Sequence, residues 1–184
     1  MTRNSLRIIG GEWRGRRLPL APVRGLRPTP DRVRETLFNW LLPWIADRSC
    51  LDLFAGSGAL GFEALSRGAT KVLMVEQSRE AVAMLERNRS ELAAENLTIS
   101  RCDAVAFLRQ TNEKFDLVFL DPPFMQGYVQ RCCKFLQDKR MLEPGALLYL
   151  EAERSLDPLP IPHEWRLARS QTAGNVGYHL VEVV

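Results

Sequence analysis

The hydrophobic pattern of the chain changes period as it runs, and each change marks an element. From residue 49 onward, short apolar runs alternate with longer segments whose apolar positions recur every three or four residues. The runs Ser49 to Phe54, Lys71 to Val75, Leu97 to Cys102, Phe115 to Leu120 and Ala146 to Leu150 read as strands. Between them, Ala59 to Arg67, Arg79 to Ala94, Ala104 to Gln110 and Val129 to Lys139 read as helices, with Gly68 closing the first and Ser78 capping the second. Strand and helix repetition at this spacing predicts an α/β fold with a parallel sheet covered on both faces.

The two ends break that pattern. After Pro158, Pro160 and Pro162, the segments Trp165 to Ser170 and Val176 to Val183 are joined by a turn containing Gly174 and Gly177, with no room for a helix. An antiparallel hairpin on the sheet edge is expected there. At the other end, Leu6 to Ile9 and Arg16 to Leu18 flank Gly10, Gly11 and Gly15, which predicts a short irregular β-ribbon. A Pro- and Arg-rich linker runs to Pro28. Thr29 then reads as an N-cap with Pro30 at the first helical position, and Val33, Leu37, Trp40 and Leu41 give an amphipathic helix laid against the main domain. The reading divides the chain into a basic arm and linker, residues 1–28, and a main domain, residues 29–184.

Composition changes this picture little. A chain of 184 residues with 46% apolar and 26% charged residues fits one globular domain with a proper core. The N-terminal residues lack an apolar core segment, and the most apolar stretch, Leu37 to Ala46, is interrupted by Asn39 and Pro43. No signal peptide or membrane span is expected, and the protein reads as cytoplasmic. Cys50, Cys102, Cys132 and Cys133 show no C-x-x-C spacing, so reduced thiols are expected. With only His163 and His179 present, no metal site is expected.

Charge changes it more. The net charge of +3 hides an asymmetry: residues 1–34 hold nine arginines against Glu12 and Asp31, a surplus of seven positive charges, so the remainder is net negative by four. Such an arm suits a polyanion, because the guanidinium fork bonds phosphate bidentately. Arg7, Arg14, Arg16, Arg17, Arg24 and Arg27 are the candidate nucleic-acid contacts. A solvated basic ribbon that binds nothing is the alternative.

The chemistry is concentrated at strand ends. Asp121-Pro122-Pro123-Phe124 follows the apolar run Phe115 to Leu120, which puts a carboxylate, two donor-less prolines and an aromatic ring at the mouth of a buried strand. An exocyclic amine on a base is a poor nucleophile because its lone pair is delocalised into the ring. Asp121 can accept one of its N–H groups and the Pro122 carbonyl the other, while Pro123 stiffens the backbone and Phe124 stacks on the base. The tetrapeptide alone does not distinguish this from a strand ending in a Pro-Pro turn beside a core Phe.

The first predicted strand ends in Asp52-Leu53-Phe54-Ala55-Gly56-Ser57-Gly58, with Gly61 three residues on. Gly56 and Gly58 permit a tight turn close to a ligand, and Gly61 permits close helix packing. Glu76, twenty residues past Gly56, ends the second strand and can bond ribose hydroxyls. Those features fit a dinucleotide as well as S-adenosylmethionine. Two others favour S-adenosylmethionine: Asp52 can pair with an ammonium group that a dinucleotide lacks, and the terminal hairpin replaces further parallel crossovers. Asp103 can accept from an adenine amino group, cap the helix after it, or do both. Phe54, Gln77 and Ala104 complete the candidate cofactor-binding set.

At these positions the chain resembles a known family. Asp52-x-Phe54-x-Gly56-x-Gly58, Glu76, Asp103 and Asp121-Pro122-Pro123-Phe124 resemble the class I S-adenosylmethionine-dependent amino-methyltransferases. More narrowly, Arg7-Ile8-Ile9-Gly10-Gly11-x-Trp13-Arg14-Gly15-Arg16 and Arg27-Pro28-Thr29-x-Asp31-Arg32-Val33-Arg34-Glu35-x-Leu37-Phe38-Asn39 are similar to the bacterial small-subunit rRNA guanine-N2 methyltransferase D family, over nearly the whole chain. The resemblance implies a Rossmann-like seven-stranded sheet, mostly parallel with an antiparallel C-terminal strand. It also implies methylation of one guanine of 16S rRNA, in the small ribosomal subunit or its precursor; with no positive signal for oligomerisation, a monomer is expected. The tetrapeptide by itself does not separate guanine N2 from adenine N6 or cytosine N4, so a DNA or other RNA amino-methyltransferase is the rival reading. A small-molecule methyltransferase does not require so basic an arm. A non-catalytic RNA-binding protein does not require the complete set of cofactor acids and glycines.

Overall fold

The computed structural model describes residues 5–23 and 28–183. Two short strands, β1 (Ser5–Arg7) and β2 (Arg17–Pro19), pair antiparallel as a ribbon and lead to helix α1 (Asp31–Leu41). The body then alternates β3 (Ser49–Asp52), α2 (Ala59–Ser66), β4 (Lys71–Glu76), α3 (Arg79–Glu91), β5 (Leu97–Arg101), α4 (Ala104–Gln110), β6 (Phe115–Leu120), α5 (Tyr128–Asp138) and β7 (Leu142–Glu153). The chain closes with the hairpin β8 (Arg166–Ala173) and β9 (Val176–Glu182).

The sheet has the order β5-β4-β3-β6-β7-β9-β8. Strands β3 to β7 are parallel, and β9 runs antiparallel to both β7 and β8. This is the expected seven-stranded architecture. The strand order reverses between β3 and β6, so the carboxyl ends of those two strands open a crevice where parallel sheets receive ligands. The core divides by face. Leu37, Phe38 and Leu41 of α1 join Leu60 and Phe62 of α2 and Leu85 of α3 on one side, and Val105, Leu108, Cys132 and Leu136 of α4 and α5 fill the other.

The ribbon is keyed into this core. Leu6, Ile8 and Leu18 are buried in the same cluster as α1 and α2. The Ile9 and Gly10 amides each donate to the Glu63 carboxylate at 2.8 Å, and Trp13 and Glu12 donate to the Ser66 hydroxyl and carbonyl at 2.9 and 2.7 Å. Gly11 lies so close to the end of α2 that a Cβ on it would fall 1.7 Å from the Ser66 oxygen. Its φ of +76° is also left-handed, so the Gly10-Gly11 pair is set by this close approach.

Several local expectations change. Thr29 does not cap α1: Pro30 occupies the cap position with no side-chain bond, Asp31 supplies the first-turn acid, and Thr29 is buried with its carbonyl accepting from Arg34 Nε at 3.2 Å. Trp40 lies at the rim of α1, stacked on Tyr178 at 5.6 Å, while Arg34 and Phe38 occupy the buried face. β7 extends well beyond Ala146 to Leu150 in both directions, because its end residues Leu142 and Glu153 still find partners, Phe115 in β6 and Val176 in β9. Helix α4 and strand β6 match their predicted bounds.

Candidate active site

A cleft of about 350 Å³ opens at the carboxyl ends of β3, β4 and β6. Its lining brings together Asp52, Phe54, Gly56, Glu76, Gln77, Asp103, Ala104, Asp121, Pro122 and Pro123, nearly the full set expected from sequence. Gly58 sits just behind it as the N-cap of α2, with φ of +77°. Phe124 is not part of the lining: it follows the lining residue Pro123 in the chain and is 38% exposed.

Each acid is fixed by its strand end. Asp52 is buried and accepts the Gly61 amide at 3.0 Å, which ties β3 to the first turn of α2. Glu76 accepts the Gly56 amide at 2.9 Å and the Ser78 amide at 2.7 Å, so one carboxylate holds the turn after β3 against the start of α3. Asp103 caps α4 by accepting the Ala106 amide at 2.9 Å while still facing the cleft, so its capping role and its exposure to a ligand coexist. Ser78 caps α3 through the Ala81 amide as expected.

Four carboxylates therefore line one cleft, and no Arg, Lys or His side chain lines it among the described residues. The consequence shows in their protonation. Burial pushes Asp52 up to about 7, against the bond from Gly61, and the negative charges of Asp121 and Glu76 push the same way. Burial likewise raises Asp121 to about 6. A cleft that concentrates negative charge without a cation is complementary to a positively charged ligand, and a pyrophosphate would meet repulsion there.

Sequence reasoning missed three neighbours of this site. Tyr128, the first residue of α5, lines the cleft and meets Phe54 edge-on at 5.2 Å, with the Arg131 guanidinium over its ring at 5.4 Å. Thr29 also lines the cleft. Glu151 on β7 is 6% exposed and accepts the Tyr149 hydroxyl at 2.8 Å. Only the Asp-Pro-Pro-Phe segment hinted that β6 would matter; the contribution of β7 depends on sheet order, which no local signal carries.

The arm arginines divide three ways. Arg7 pairs with Asp31 at 3.2 Å and Arg16 with Glu91 at 3.6 Å, all exposed. Arg14 and Arg17 are exposed and pair with no carboxylate among the described residues. Arg24 and Arg27 lie outside the described residues. Arg34, part of the same basic surplus, is an internal strut: 1% exposed, it donates to Glu63, the Arg7 carbonyl, the Thr29 carbonyl and Asp31. No group of three or more potential metal ligands occurs among the described residues, and no helix is long and apolar enough to cross a membrane.

This sheet order, the antiparallel return of β9 and an acidic cleft at the strand-order reversal together define the class I methyltransferase fold. Residues 6–182 match the family described as conserved hypothetical protein 95. The chain is 46% identical over 177 residues to ribosomal RNA small subunit methyltransferase D of Escherichia coli strain K12, spanning 96% of this chain and 89% of that protein. It is 44% identical to the protein of the same name from Haemophilus influenzae, over 98% of this chain and 95% of that one. Among solved structures, a putative methyltransferase from Escherichia coli superposes with a TM-score of 0.90 at 47% identity, covering 97% of this chain and 98% of that one. A putative methylase from Haemophilus influenzae gives 0.85 at 42% identity, covering 98% and 99%. The chain belongs to this family, that of the small-subunit rRNA methyltransferase D proteins.

Proposed function

We propose that this protein transfers a methyl group from S-adenosylmethionine to the exocyclic N2 amine of one guanine in 16S rRNA, within the small ribosomal subunit or its precursor. The observation that carries the reading is one cleft lined by four carboxylates, with no cationic side chain in its lining among the described residues, and with Asp121, Pro122 and Pro123 in the same wall. The residues present fit the cofactor: Asp52 suits the ammonium of its amino acid portion, Glu76 the ribose hydroxyls, and Asp103 the adenine amino group. When bound, it supplies an electrophilic methyl group on a sulfonium.

The protein's own part is positioning. Phe124, exposed and next to the lining residue Pro123, receives the face of a guanine rotated out of its stack. Asp121 and the Pro122 carbonyl accept the two N–H groups of the amine and turn its lone pair toward the cleft, so placement and electrostatics supply most of the rate. The amine gains a carbon and must lose a proton, and Asp121 is the carboxylate placed to receive it. Because burial raises Asp121 to about 6, turnover rises as pH passes upward through that value. Arg14 and Arg17, free of acid partners among the described residues, are the arm residues best placed to meet phosphate, with Arg7, Arg16, Arg24 and Arg27 as further candidates.

Small subunits lacking guanine-N2 methylation are the substrate to offer, with naked 16S rRNA and DNA alongside and labelled cofactor. Nucleoside mass spectrometry should find the label as N2-methylguanosine. Label on N6-methyladenosine, on N4-methylcytosine or on DNA would leave amino-methyl transfer standing and overturn the guanine assignment.

A further inference from the structure

The acceptor side of the cleft has a second carboxyl near Asp121, that of Glu151, and it is the more deeply buried of the two. β6 and β7 pair parallel as far as Leu120 opposite Leu150, so Asp121 and Glu151 each follow directly on the last pair, and the Asp121 charge acts on the Glu151 carboxyl. Glu151 is 6% exposed, and no cation pairs with either carboxyl among the described residues. An uncompensated buried carboxylate is costly, so such a group is kept neutral or kept for a purpose.

The charge of Asp121, the residue after β6, acts on Glu151, and Tyr149 on β7 itself donates to Oε1 at 2.8 Å. Tyr178 lies opposite it on β9, stacked in turn on Trp40 of α1. The Thr29 hydroxyl faces the same carboxyl from the residues preceding α1, while the Thr29 carbonyl is held by Arg34, whose Nη2 also donates to the Arg7 carbonyl at 3.0 Å. Glu151 thus sits where the acceptor carboxylate, the sheet core and the root of the basic ribbon meet.

We propose that Glu151 is a positioning residue for methyl transfer: it holds its proton beside Asp121, so that Asp121 alone presents negative charge to the acceptor amine and alone takes up the released proton. This rests on the amino-methyltransferase reading given above. Two carboxyls this close in a dry site do not ionise together readily, and the second proton stays on the more buried partner. Burial and the Asp121 charge both push Glu151 up, to about 8, against the bonds from Tyr149 and Thr29. At neutral pH the pair therefore carries one negative charge. Above that range Glu151 ionises as well, and a second charge beside Asp121 disturbs the geometry of the acceptor.

The substitution that separates roles is Glu151→Gln, a neutral isostere of the protonated acid. At neutral pH E151Q should keep kcat within about threefold of wild type, whereas Glu151→Ala should lose tenfold or more in kcat, with cofactor affinity unchanged in both. On the alkaline side wild type should lose activity as pH rises through about 8, and E151Q should not. An E151Q enzyme as impaired as E151A would show that Glu151 acts as an anion, and wild-type kcat with an unchanged alkaline limb in E151A would show no role at all; either overturns the proposal. Infrared difference spectroscopy of wild type against E151Q supplies a readout independent of turnover: a buried carboxylic acid band at neutral pH should vanish in E151Q. Its absence from wild type would sink the proposal even if guanine methylation were established, and its presence in a protein that methylates no guanine would leave the proton assignment standing while the functional reading failed.

Discussion

Under the ribbon, Glu63 is fully buried and matched: Arg34 and Arg67 approach its carboxylate at 3.5 and 2.7 Å, and two backbone amides complete its bonds. In the cleft, Asp52 and Asp121 are held in low-dielectric surroundings with no cation near them among the described residues, and Glu151 is in the same condition. One buried carboxylate leaves the fold satisfied; the others leave it short of a positive charge. The difference teaches where to look for function, since matched buried charge holds parts together and unmatched buried charge waits for a ligand.

If that comparison is right, damage to the two regions should differ in kind. The largest effect is expected from Glu63→Ala, which strands Arg34 and frees the Ile9 and Gly10 amides: a loss of about 3–5 kcal/mol in stability, read by chemical denaturation. Glu63→Ala with wild-type stability would mean the ribbon is not keyed through this network. Asp121→Ala should instead leave stability and cofactor binding near wild type and lower kcat on the order of 100-fold or more. Calorimetric titration with S-adenosylmethionine alongside the turnover assay separates the two.

A smaller effect follows from protonation. Asp52, Asp121 and Glu151 titrate near 7, 6 and 8 in the fold but start from 3.8, 3.8 and 4.5. Between those limits the folded chain binds more protons than the unfolded one, so these groups cost nothing at the acid end and their full penalty above the folded values. The melting temperature of the cofactor-free protein should fall as pH rises from about 4 to 8, and Asp52→Asn should flatten the part of that slope below about 7. A melting curve that instead climbs across this range would contradict the burial argument. The least effect belongs to the exposed arginines: replacing Arg14 and Arg17 together should leave stability unchanged and reduce the salt dependence of RNA binding by a slope on the order of 0.7 per lost contact.

Much of this contrast was legible in the sequence on one side and hidden on the other. Asp52, Glu76, Asp103 and Asp121 end their strands, so the alternation of apolar runs located all four. The cap of α3 by Ser78 and the limits of α4 and β6 are equally local. Glu63 was invisible because α2 is buried on every side and offers no polar face to read against. Arg34 counted toward the basic arm although its side chain is internal. Thr29 preceded a proline and so read as a cap, when its carbonyl is committed to Arg34. Glu151 lies inside a strand whose length was underread, and its place beside Asp121 follows from β6 and β7 being neighbours, which is a property of the sheet rather than of either segment.

The most direct test of the central claim is a single-turnover methyl-transfer measurement on unmethylated small subunits, comparing Asp121→Ala with Arg14→Ala/Arg17→Ala over a range of subunit concentrations. The slow transfer of D121A should persist at saturating subunit, and the deficit of the arginine variant should close as subunit concentration rises. A D121A enzyme restored by excess subunit, or an arginine variant that stays slow at saturation, would contradict the division between an acidic cleft that performs the transfer and a basic ribbon that delivers the RNA.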